Sequence, residues 1–598
     1  MAYSLQKTDK RTGYCAEFSA KNAGEYVTLF GWAQKTRDLG SLVFIDLRDR
    51  TGIIQLAFDA DTDPELFKKA QRVRAEYTLM AKGKIRHRGG AVNTNIPTGE
   101  IEVAVEVLEI FAAAETPPFE ITDQTNVRME TRLKYRFLDL RRPELQRNIM
   151  MRHKIIAAAR EYFYSQNFLE IETPCLIKST PEGARDYLVP SRIHHGCFYA
   201  LPQSPQLYKQ LLMIGGFDRY FQVARCFRDE DLRADRQPEF TQLDLEMSFV
   251  RDEDVMAVTE GFLKFVFKKV LDRDLELPLR RMTWAEAMRR YGSDKPDLRF
   301  GLELCDLTDA ARGCSFKVFA GAIENGGSVR GLRVPGGASE FSRKEIDKLT
   351  ETLRAYGAKG LAYYKNGDEV SSSYAKFLTE DENSAILAAA GVEKGDILFI
   401  VADKDKVVFD SLGALRNICG RKLGLIDKND FKLLWVTEFP MYEFDEQEGR
   451  YYAMHHPFTS PMDEDVSLFD TDPGKMRAKA YDIVINGTEA GGGSIRIHDP
   501  EIQNKSFGVL GITPEDAKVK FDFLLEGLKY GAPPHGGLAF GADRLVMLLS
   551  GIEDIRDVIA FPKVQNASEL MSGAPGPADP KLLEELAIRV TDVEETAE

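Results

Sequence analysis

The sequence predicts a multidomain protein of the α/β and β classes, in which an N-terminal β-barrel precedes a larger region that an α+β insertion interrupts. Its 598 residues exceed the roughly 250–300 at which a single hydrophobic core stops growing. Up to about residue 115 short segments alternate in polarity as strands do, whereas helical spacing begins near residue 128. Between roughly residues 300 and 420 the composition becomes rich in glycine, which indicates the insertion.

The composition is that of a globular chain, with 43% apolar and 29% charged residues. No run approaches the roughly 18 apolar residues of a membrane span, and the N-terminus has no apolar export segment, so we expect a soluble protein without a membrane partner. Seven scattered cysteines without a CxxC pair favour a cytoplasmic location over a zinc knuckle or a disulfide framework. The net charge of −15 argues against indiscriminate nucleic-acid binding, and no DNA partner is expected.

The first 115 residues contain about five short strands broken at turn-like sites, which predicts a small barrel of the OB type. Its exposed face is expected to carry Phe44 beside Arg37, Arg48 and Gln55. An aromatic ring among cations is a platform on which an unpaired base could stack. The alternative is that Phe44 belongs to the core, and strand alternation leaves both possibilities open.

Changes in composition and in the spacing of apolar residues predict six segments along the chain. These are the barrel 1–115, a linker 116–140, the first part of a catalytic domain 141–295, the insertion 296–425, the second part of that domain 426–563 and a C-terminal extension 564–598.

Charged and aromatic residues concentrate in the segment 217–249. A strand delivers Arg228, a loop rich in both charges follows, and a second strand returns with Phe240 and with the carboxylates Asp244 and Glu246. Such a hairpin can hold a nucleotide, because arginine binds phosphate and an aromatic ring stacks on a base. The alternative is a surface hairpin whose charges pair with one another.

Two Gly-rich segments follow later in the chain. In the first, Asp482 and Glu489 flank a turn and could bind Mg²⁺ through oxygen, with Arg496 on the following strand. In the second, residues 536–549, Arg544 stands at the start of an apolar helix, a position that suits phosphate.

These segments resemble the class II aminoacyl-tRNA synthetases. F-R-D-E at 227–230 is similar to their motif 2, G-A-D-R at 541–544 to motif 3, and FLEIETPCL at 168–176 to motif 1, which implies a homodimer. STPEGARDYLVPSR at 179–192 and LPQSPQLYKQLLM at 201–213 narrow the resemblance to the bacterial type of aspartyl-tRNA synthetase. The insertion resembles the GAD domain of that type, and the implied catalytic fold is an antiparallel sheet flanked by helices.

The resemblance implies ATP and Mg²⁺ as substrate and metal. Arg228 would neutralise the α-phosphate, Glu230 would meet the adenine amino group, and Phe240 and Arg544 would sandwich the adenine, which makes Arg228 and Arg544 the implied catalytic residues. Mg²⁺ would lie between Asp482 and Glu489. The full implied ATP site consists of Arg228, Asp229, Glu230, Gln237, Phe240, Glu489, Gly541, Ala542, Asp543 and Arg544.

For L-aspartate the resemblance nominates Lys209 and Arg496 as cations for the side-chain carboxylate. We expect a dry pocket whose positive lining only an acidic ligand neutralises, since a desolvated cation left without a partner costs several kcal/mol. The remaining implied pocket residues are Glu182 on a mobile loop, Gln206, Asp244 and His455.

The implied nucleic-acid partner is tRNA(Asp), with its anticodon on the barrel at Arg37, Phe44 and Gln55. A basic cluster of eight cations and three anions between residues 128 and 152 is expected to follow the tRNA backbone. Leu39 resembles enzymes that charge tRNA(Asp) alone, whereas Gly90 resembles those that also charge tRNA(Asn). We favour the strict type because Leu39 lies beside the predicted platform.

Three other readings compete with a strict aspartate–tRNA ligase. They are a nondiscriminating ligase for tRNA(Asp) and tRNA(Asn), an inactive paralogue that binds tRNA, and a synthetase for asparagine or lysine. An inactive paralogue should have lost charges at the ATP or metal positions, yet all of them are present. No GxxxxGK[ST] loop, HIGH or KMSKS signature occurs, which agrees with class II.

Overall fold

The structure, a computed structural model, describes residues 5–180, 183–232 and 235–591. Its chain divides into two units, one that contains the chain up to Met151 together with residues 556–577, and one that contains residues 152–555 and the remaining C-terminal residues. Within the described ranges, no helix combines the length and the apolar character needed to cross a membrane.

The first unit begins with a closed five-stranded barrel. Its elements are β1 Tyr26–Asp38, β2 Val43–Arg48, β3 Ile53–Phe58, α1 Pro64–Gln71, β4 Thr78–His87 and β5 Ile101–Ala112. The strand order is β1-β2-β3-β5-β4, with β3 and β5 parallel and β1 pairing with β4 to close the barrel. Val43, Ile45 and Leu47 alternate into the core. The predicted OB-type barrel is confirmed.

Three helices follow the barrel, namely α2 Met129–Lys134, α3 Arg136–Asp139 and α4 Pro143–Ser165. Three arginines of the predicted basic cluster converge on the buried Asp139. Arg136 Nη1 lies 2.8 Å from Asp139 Oδ2, while Arg132 Nε and Arg142 Nη1 lie 3.0 and 3.1 Å from Oδ1. The prediction that the cluster follows the tRNA backbone is therefore wrong for these arginines, because they neutralise a carboxylate inside the unit. The cations that remain exposed in this segment are Arg128, Lys134 and Arg147.

The second unit continues with strands and helices on both sides of the insertion. Before it lie β6 Leu169–Glu170, β7 Leu188–Pro190, β8 Phe198–Ala200, α5 Gln206–Ile214, β9 Arg219–Phe227, β10 Glu239–Ser248, α6 Asp252–Leu271, β11 Arg280–Thr283 and α7 Trp284–Tyr291.

The insertion forms a five-stranded antiparallel sheet of order β12-β13-β16-β14-β15. Its elements are β12 Leu304–Asp306, α8 Lys317–Glu324, β13 Ser328–Val334, α9 Arg343–Arg354, β14 Ala362–Asn366, β15 Val370–Ser372, α10 Glu380–Ala390, β16 Ile397–Asp403 and α11 Asp405–Lys422. Adjacent residues of β16 belong to two different apolar clusters, Phe399 to one and Ile400 to the other, so both faces of this sheet are covered. The predicted α+β insertion is present.

After the insertion the chain completes an eight-stranded sheet, to which strands before the insertion also belong. The elements are β17 Leu433–Thr437, β18 Tyr442–Asp445, β19 Arg450–Ala453, β20 Ala480–Ile485, β21 Thr488–Ile495, α12 Pro500–Val509, α13 Pro514–Leu528, β22 His535–Gly541, α14 Ala542–Ser550 and α15 Pro580–Glu585. The sheet order is β11-β17-β20-β21-β22-β10-β9-β6. The six inner strands are antiparallel as predicted, whereas the short edge strands β11 and β6 pair in parallel with their neighbours.

Candidate active site

The hairpin of β9 and β10 carries the predicted nucleotide-binding residues at its open end. Phe240 pairs in register with Cys226, and Arg228 follows the end of β9 with its guanidinium 5.2 Å from the Phe240 ring centre. In the described part of the chain no carboxylate pairs with Arg228, and its buried Nε has no hydrogen-bond partner. A guanidinium that stacks on a ring and lacks a counter-ion keeps its charge available to an anion.

The loop between these strands holds the two acidic residues of the F-R-D-E segment. Glu230 Oε2 accepts a hydrogen bond of 2.9 Å from Arg236, and Asp229 lies 3.7 Å from Arg185. Gln237 is buried. The alternative of charges that pair within the hairpin therefore holds for Glu230, but not for Asp229, whose partner lies outside the hairpin, nor for Arg228.

The predicted aspartate pocket contains a buried lysine that is already paired. Lys209 on α5 has its Nζ 2.6 Å from Asp244 Oδ1 and 3.4 Å from Glu246 Oε2. The other Asp244 oxygen, Oδ2, is buried and has no hydrogen-bond partner among the described residues. Burial raises the pKa of Asp244, and Lys209 opposes this effect. The pocket thus contains one buried carboxylate oxygen that can still accept a donor.

Arg496 lies in the same cluster. Its Nε and Nη2 lie 2.9 and 3.0 Å from the two oxygens of Glu246, a bidentate pair, and its Nη1 donates to Ser494 Oγ at 2.6 Å. Although burial disfavours the charged form of Glu246, Arg496 and Lys209 outweigh it and lower the pKa of this carboxylate.

The expected unneutralised positive lining is therefore wrong. Lys209 and Arg496 are balanced by Asp244 and Glu246, since four buried charges without pairing would cost far more than the fold can supply. Glu246 was predicted only as a carboxylate of the β9–β10 hairpin and not as a residue of the aspartate pocket. It stands two positions after Asp244 on β10, and strand alternation places both side chains on one face.

His456, rather than His455, contacts the buried arginine. His456 Nε2 lies 2.8 Å from Arg496 Nη1 and 3.4 Å from Ser494 Oγ. His455, which was the predicted pocket residue, packs edge-on against Phe439 and its Nε2 has no hydrogen-bond partner in the described chain. Burial and Arg496 lower the pKa of both histidines, and that of His455 falls to about 4. Both rings are therefore neutral at pH 7.

The lowered pKa of His455 predicts a pH-dependent stability. Between pH 6.5 and about 4 the unfolded chain binds a proton that the folded chain lacks, so this group destabilises the fold as the pH falls through that window and adds no further change below it. We expect His455→Gln to reduce the loss of Tm between neutral pH and about pH 5 by roughly 2 °C. Differential scanning calorimetry of both proteins measures this difference, and parallel curves would contradict it.

Two further predicted pocket residues have different outcomes. Gln206, at the start of α5, is buried and donates through Nε2 to Gln210 Oε1 at 3.0 Å, while Gln210 Nε2 lies 3.2 Å from His535 Nε2. This chain of polar contacts extends the pocket along α5. Glu182 lies outside the described residues.

The two predicted metal carboxylates lie on neighbouring strands with a glycine between them. A Cβ on Gly492 would lie 2.6 Å from Asp482 Oδ1, so a larger residue there would displace this carboxylate, whereas Glu489 Oε1 at 3.5 Å would be in ordinary contact. Burial, then Glu489 and Asp294, raise the pKa of Asp482 well above its usual range, and Lys295 opposes this. A buried carboxylate that is repelled by a second, partly exposed one fits a divalent cation.

These two residues do not form a complete metal site by themselves. No cluster of three or more histidine, cysteine or acidic residues suited to a metal occurs in residues 5–180, 183–232 and 235–591. A cation between Asp482 and Glu489 would take its remaining ligands from water or from substrate oxygens, as Mg²⁺ commonly does.

The G-A-D-R segment forms the end of β22 and the start of α14. Arg544 Nη1 donates to the Glu489 carbonyl at 2.9 Å, and Nη2 lies 3.3 Å from Asp235. The Asp543 side chain accepts from the Thr241 backbone N–H at 2.9 Å and also pairs with Arg152. Asp543 therefore ties α14 to β10, whereas Ala542 is buried and Gly541 is only partly exposed.

The predicted anticodon face of the barrel lies on the side opposite the core. Phe44 is partly exposed and outside the apolar core, with Arg37 Cζ 5.8 Å from its ring centre. Arg37 Nη2 donates to Gln55 Oε1 at 2.9 Å, and Gln55 Nε2 donates to Glu102 Oε2 at 2.8 Å. The structure thus brings the three predicted residues together and adds Glu102, which was not predicted. Gln55, however, is buried, so its expected place on the exposed face is wrong. The alternative that Phe44 is core is wrong.

Two other barrel residues complete this comparison. Arg48, expected on the exposed face, is buried and pairs with Glu76 at 2.7 Å, so that expectation is wrong. Leu39 is 65% exposed in the β1–β2 turn, and Gly90 is exposed in the loop after β4. No contact of either residue indicates which tRNA it would meet.

Comparison with protein families agrees with this geometry. The family model described as class II tRNA synthetases (D, K and N) matches residues 128–565, and the model of an OB-fold nucleic-acid-binding domain matches residues 27–111. The chain belongs to the class II tRNA synthetases. In this class II chain, the matched region contains both the β9–β10 hairpin and the Asp482–Glu489 pair.

Several curated proteins resemble this synthetase over nearly their whole length. The aspartate–tRNA ligase of Ruminiclostridium cellulolyticum is 59% identical over 97% of this chain and 98% of its own length. The aspartate–tRNA(Asp/Asn) ligase of Lachnoclostridium phytofermentans is 57% identical over 97% of each chain. The aspartate–tRNA ligase of Agathobacter rectalis is 56% identical over 100% of both.

Solved structures of other synthetases share the fold. The asparaginyl-tRNA synthetase from Pyrococcus horikoshii, complexed with asparaginyl-adenylate, has a TM-score of 0.58 at 20% identity, covering 92% of this chain and 98% of its own. The aspartyl-tRNA synthetase from Entamoeba histolytica has a TM-score of 0.57 at 21% identity, with 93% and 92% covered. At such identity the likeness concerns the fold alone.

Proposed function

We propose that this synthetase attaches L-aspartate to tRNA in two steps, with ATP as the energy source. The observation that supports this proposal most directly is a buried, charge-balanced cluster of four residues, Lys209, Arg496, Asp244 and Glu246. The cluster offers one free acceptor, Asp244 Oδ2, and donors on Lys209 and Arg496. The curated relatives named above as aspartate–tRNA ligases support the same assignment.

The free Oδ2 of Asp244 would receive the α-ammonium of the amino acid. The side-chain carboxylate would then meet Lys209 and the one Nη2 N–H of Arg496 that Glu246, Ser494 and His456 do not use. The amide of asparagine would turn its NH₂ group toward these donors and leave a buried donor without a partner, which typically costs about 1–3 kcal/mol per group. The neutral state of His456 keeps a further positive charge away from Arg496.

Activation requires no enzyme nucleophile, because the attacking group is already a carboxylate. Its oxygen bonds to the α-phosphorus of ATP while the bond to the bridging oxygen breaks and pyrophosphate leaves. Arg228 would neutralise the α-phosphate, and Phe240 and Arg544 would stack on the two faces of the adenine. A divalent cation, when bound, neutralises phosphate charge, and Asp482 and Glu489 would hold it.

Transfer follows when a ribose hydroxyl of the terminal adenosine attacks the acyl carbon and AMP leaves. The anticodon would lie on the barrel at Phe44, Arg37 and Gln55, whose polar contacts are already organised. The exposed Leu39 beside this face favours strict use of tRNA(Asp), and the nondiscriminating relatives keep tRNA(Asn) as the second candidate.

We expect Phe44→Ala to lower the kcat/KM of tRNA charging by about 10-fold or more, since base–aromatic stacking contributes roughly 1–3 kcal/mol. Aspartate-dependent pyrophosphate exchange should stay within about twofold of wild type, because the ring lies outside the barrel core. Val107→Ala, a partly exposed barrel position, is the matched control. Equal losses in both assays would contradict a role in tRNA binding.

We further propose a homodimer in the cytoplasm. In the motif 1 segment, Leu169 of the short edge strand β6 and Leu176 are half exposed, as residues of an apolar interface would be. All seven cysteines are free thiols, which fits a reducing compartment. Light scattering after size exclusion should give twice the mass of 67.3 kDa.

The test of the proposed function is aminoacylation with purified tRNA(Asp) and tRNA(Asn) side by side. Charging of tRNA(Asp) with aspartate is expected, and tRNA(Asn) should be charged at least about 10-fold more slowly if Leu39 acts as proposed. Equal charging of both would select the nondiscriminating function, and charging of neither would refute the proposal.

A further inference from the structure

The turn between β20 and β21 is held from two sides by the linkers of the inserted domain. On the exit side, Asn486 Nδ2 donates to the Asp430 carbonyl at 2.9 Å, and the Lys432 backbone N–H donates to Asn486 Oδ1 at 2.8 Å. On the entry side, a Cβ on Gly487 would lie 2.9 Å from Asp297 Cβ. This turn separates the strands that carry Asp482 and Glu489.

The entry linker is in turn fixed by one buried arginine of the insertion. Arg416 on α11 is 1% exposed and forms no ion pair with any carboxylate in the described chain. Its Nη2 lies 2.8 to 2.9 Å from the carbonyl oxygens of Asp297, Phe300 and Gly301, and its Nε donates to the Leu302 carbonyl at 3.0 Å.

Two rings complete this contact. The Arg416 guanidinium lies 4.1 Å from the ring centre of Phe300 and 4.9 Å from that of Tyr291. A buried cation satisfied only by carbonyl dipoles and ring faces is costly to place, so its partners must be held firmly. Arg416 therefore joins the helix α11 to the linker as one rigid body.

The linker also carries charges that reach the carboxylate pair. Asp294 and Lys295 lie on this linker and act electrostatically on Asp482 with opposite signs. A shift of this linker would thus change both the position of the β20–β21 turn and the local charge beside it.

We propose that the inserted domain positions the Asp482–Glu489 pair for Mg²⁺·ATP, and that Arg416 is the positioning residue through which it does so. The proposal rests on the proposed function for the identity of the nucleotide, and it assigns the insertion a role in the activation step.

The test compares Arg416→Met, Arg416→Lys and the control Arg421→Met, an exposed arginine on the same helix. Isothermal titration measures the Kd of Mg²⁺·ATP and, separately, of aspartate on the full chain. Arg416→Met is expected to weaken Mg²⁺·ATP binding about tenfold and aspartate binding less than about twofold. Arg416→Lys should lie between, because an ammonium can satisfy only part of the carbonyl set.

A Mg²⁺·ATP Kd within about twofold of wild type in folded Arg416→Met would overturn the proposal, as would equal weakening of both ligands. If Arg416→Met does not fold, Asn486→Ser disrupts the two side-chain hydrogen bonds to the exit linker. The same selective loss of Mg²⁺·ATP affinity is then expected. Failure of the wild type to activate aspartate would refute the proposed function alone, since the titrations with Mg²⁺·ATP still decide the role of Arg416.

Discussion

Replacing Arg496 by lysine is expected to lower the kcat/KM for aspartate in pyrophosphate exchange by about 10³-fold, with the Kd of Mg²⁺·ATP unchanged within about twofold. Lysine keeps the charge but cannot pair with both oxygens of Glu246 and still reach a ligand carboxylate. Lysine is chosen because it keeps the positive charge opposite Glu246. A neutral residue would remove one partner of a buried pair, which costs about 3–5 kcal/mol of folding free energy.

The control for this variant is Arg450→Lys, an exposed arginine of the β18–β19 hairpin. It should retain wild-type exchange, since exposed pairs contribute at most about 1 kcal/mol. If Arg496→Lys loses affinity for ATP and aspartate alike, Arg496 supports the fold of the whole site rather than the recognition of the amino acid.

Replacing Asp482 by asparagine should lower the rate of exchange by about 10³-fold and yet leave the Tm unchanged or raised. The reason is that burial and the neighbouring Glu489 already disfavour the charge of Asp482 in the absence of a cation. Measurement of Tm and of exchange across a Mg²⁺ titration separates the two effects.

Glu489→Gln is the companion variant. The exchange rate of the double variant should be no lower than that of the less active single variant, as expected for residues that act on one cation. Glu443→Gln, an acidic residue that pairs with Lys406 at the surface, is the control. A fall of Tm that matches the loss of activity would mean that Asp482 is structural.

The elements of the fold were predictable where local patterns decide them. Alternation predicted β9, β10 and the barrel strands, and helical spacing predicted α4. Residues at the ends of these elements, such as Arg228 and Arg544, could be placed from sequence because short motifs fix them relative to a strand or helix.

What could not be predicted depends on contacts between distant segments. Glu246 and Arg496 are 250 positions apart, and only the sheet order makes them partners. Asp139 is a different case, because it lies only three positions after Arg136, and what the sequence does not show is that both side chains are buried. His455 and His456 are adjacent, and the direction of each ring follows from packing against Phe439 and Arg496 rather than from sequence.

The most direct test of the account is pyrophosphate exchange by the wild-type chain with aspartate and asparagine in turn. The balanced cluster predicts that kcat/KM for aspartate exceeds that for asparagine by about 10⁴-fold, since Lys209 and Arg496 are both charged donors, and a charged donor left unsatisfied by an amide costs more than a neutral one. A ratio below about tenfold would contradict the assignment of Lys209 and Arg496 to the side-chain carboxylate.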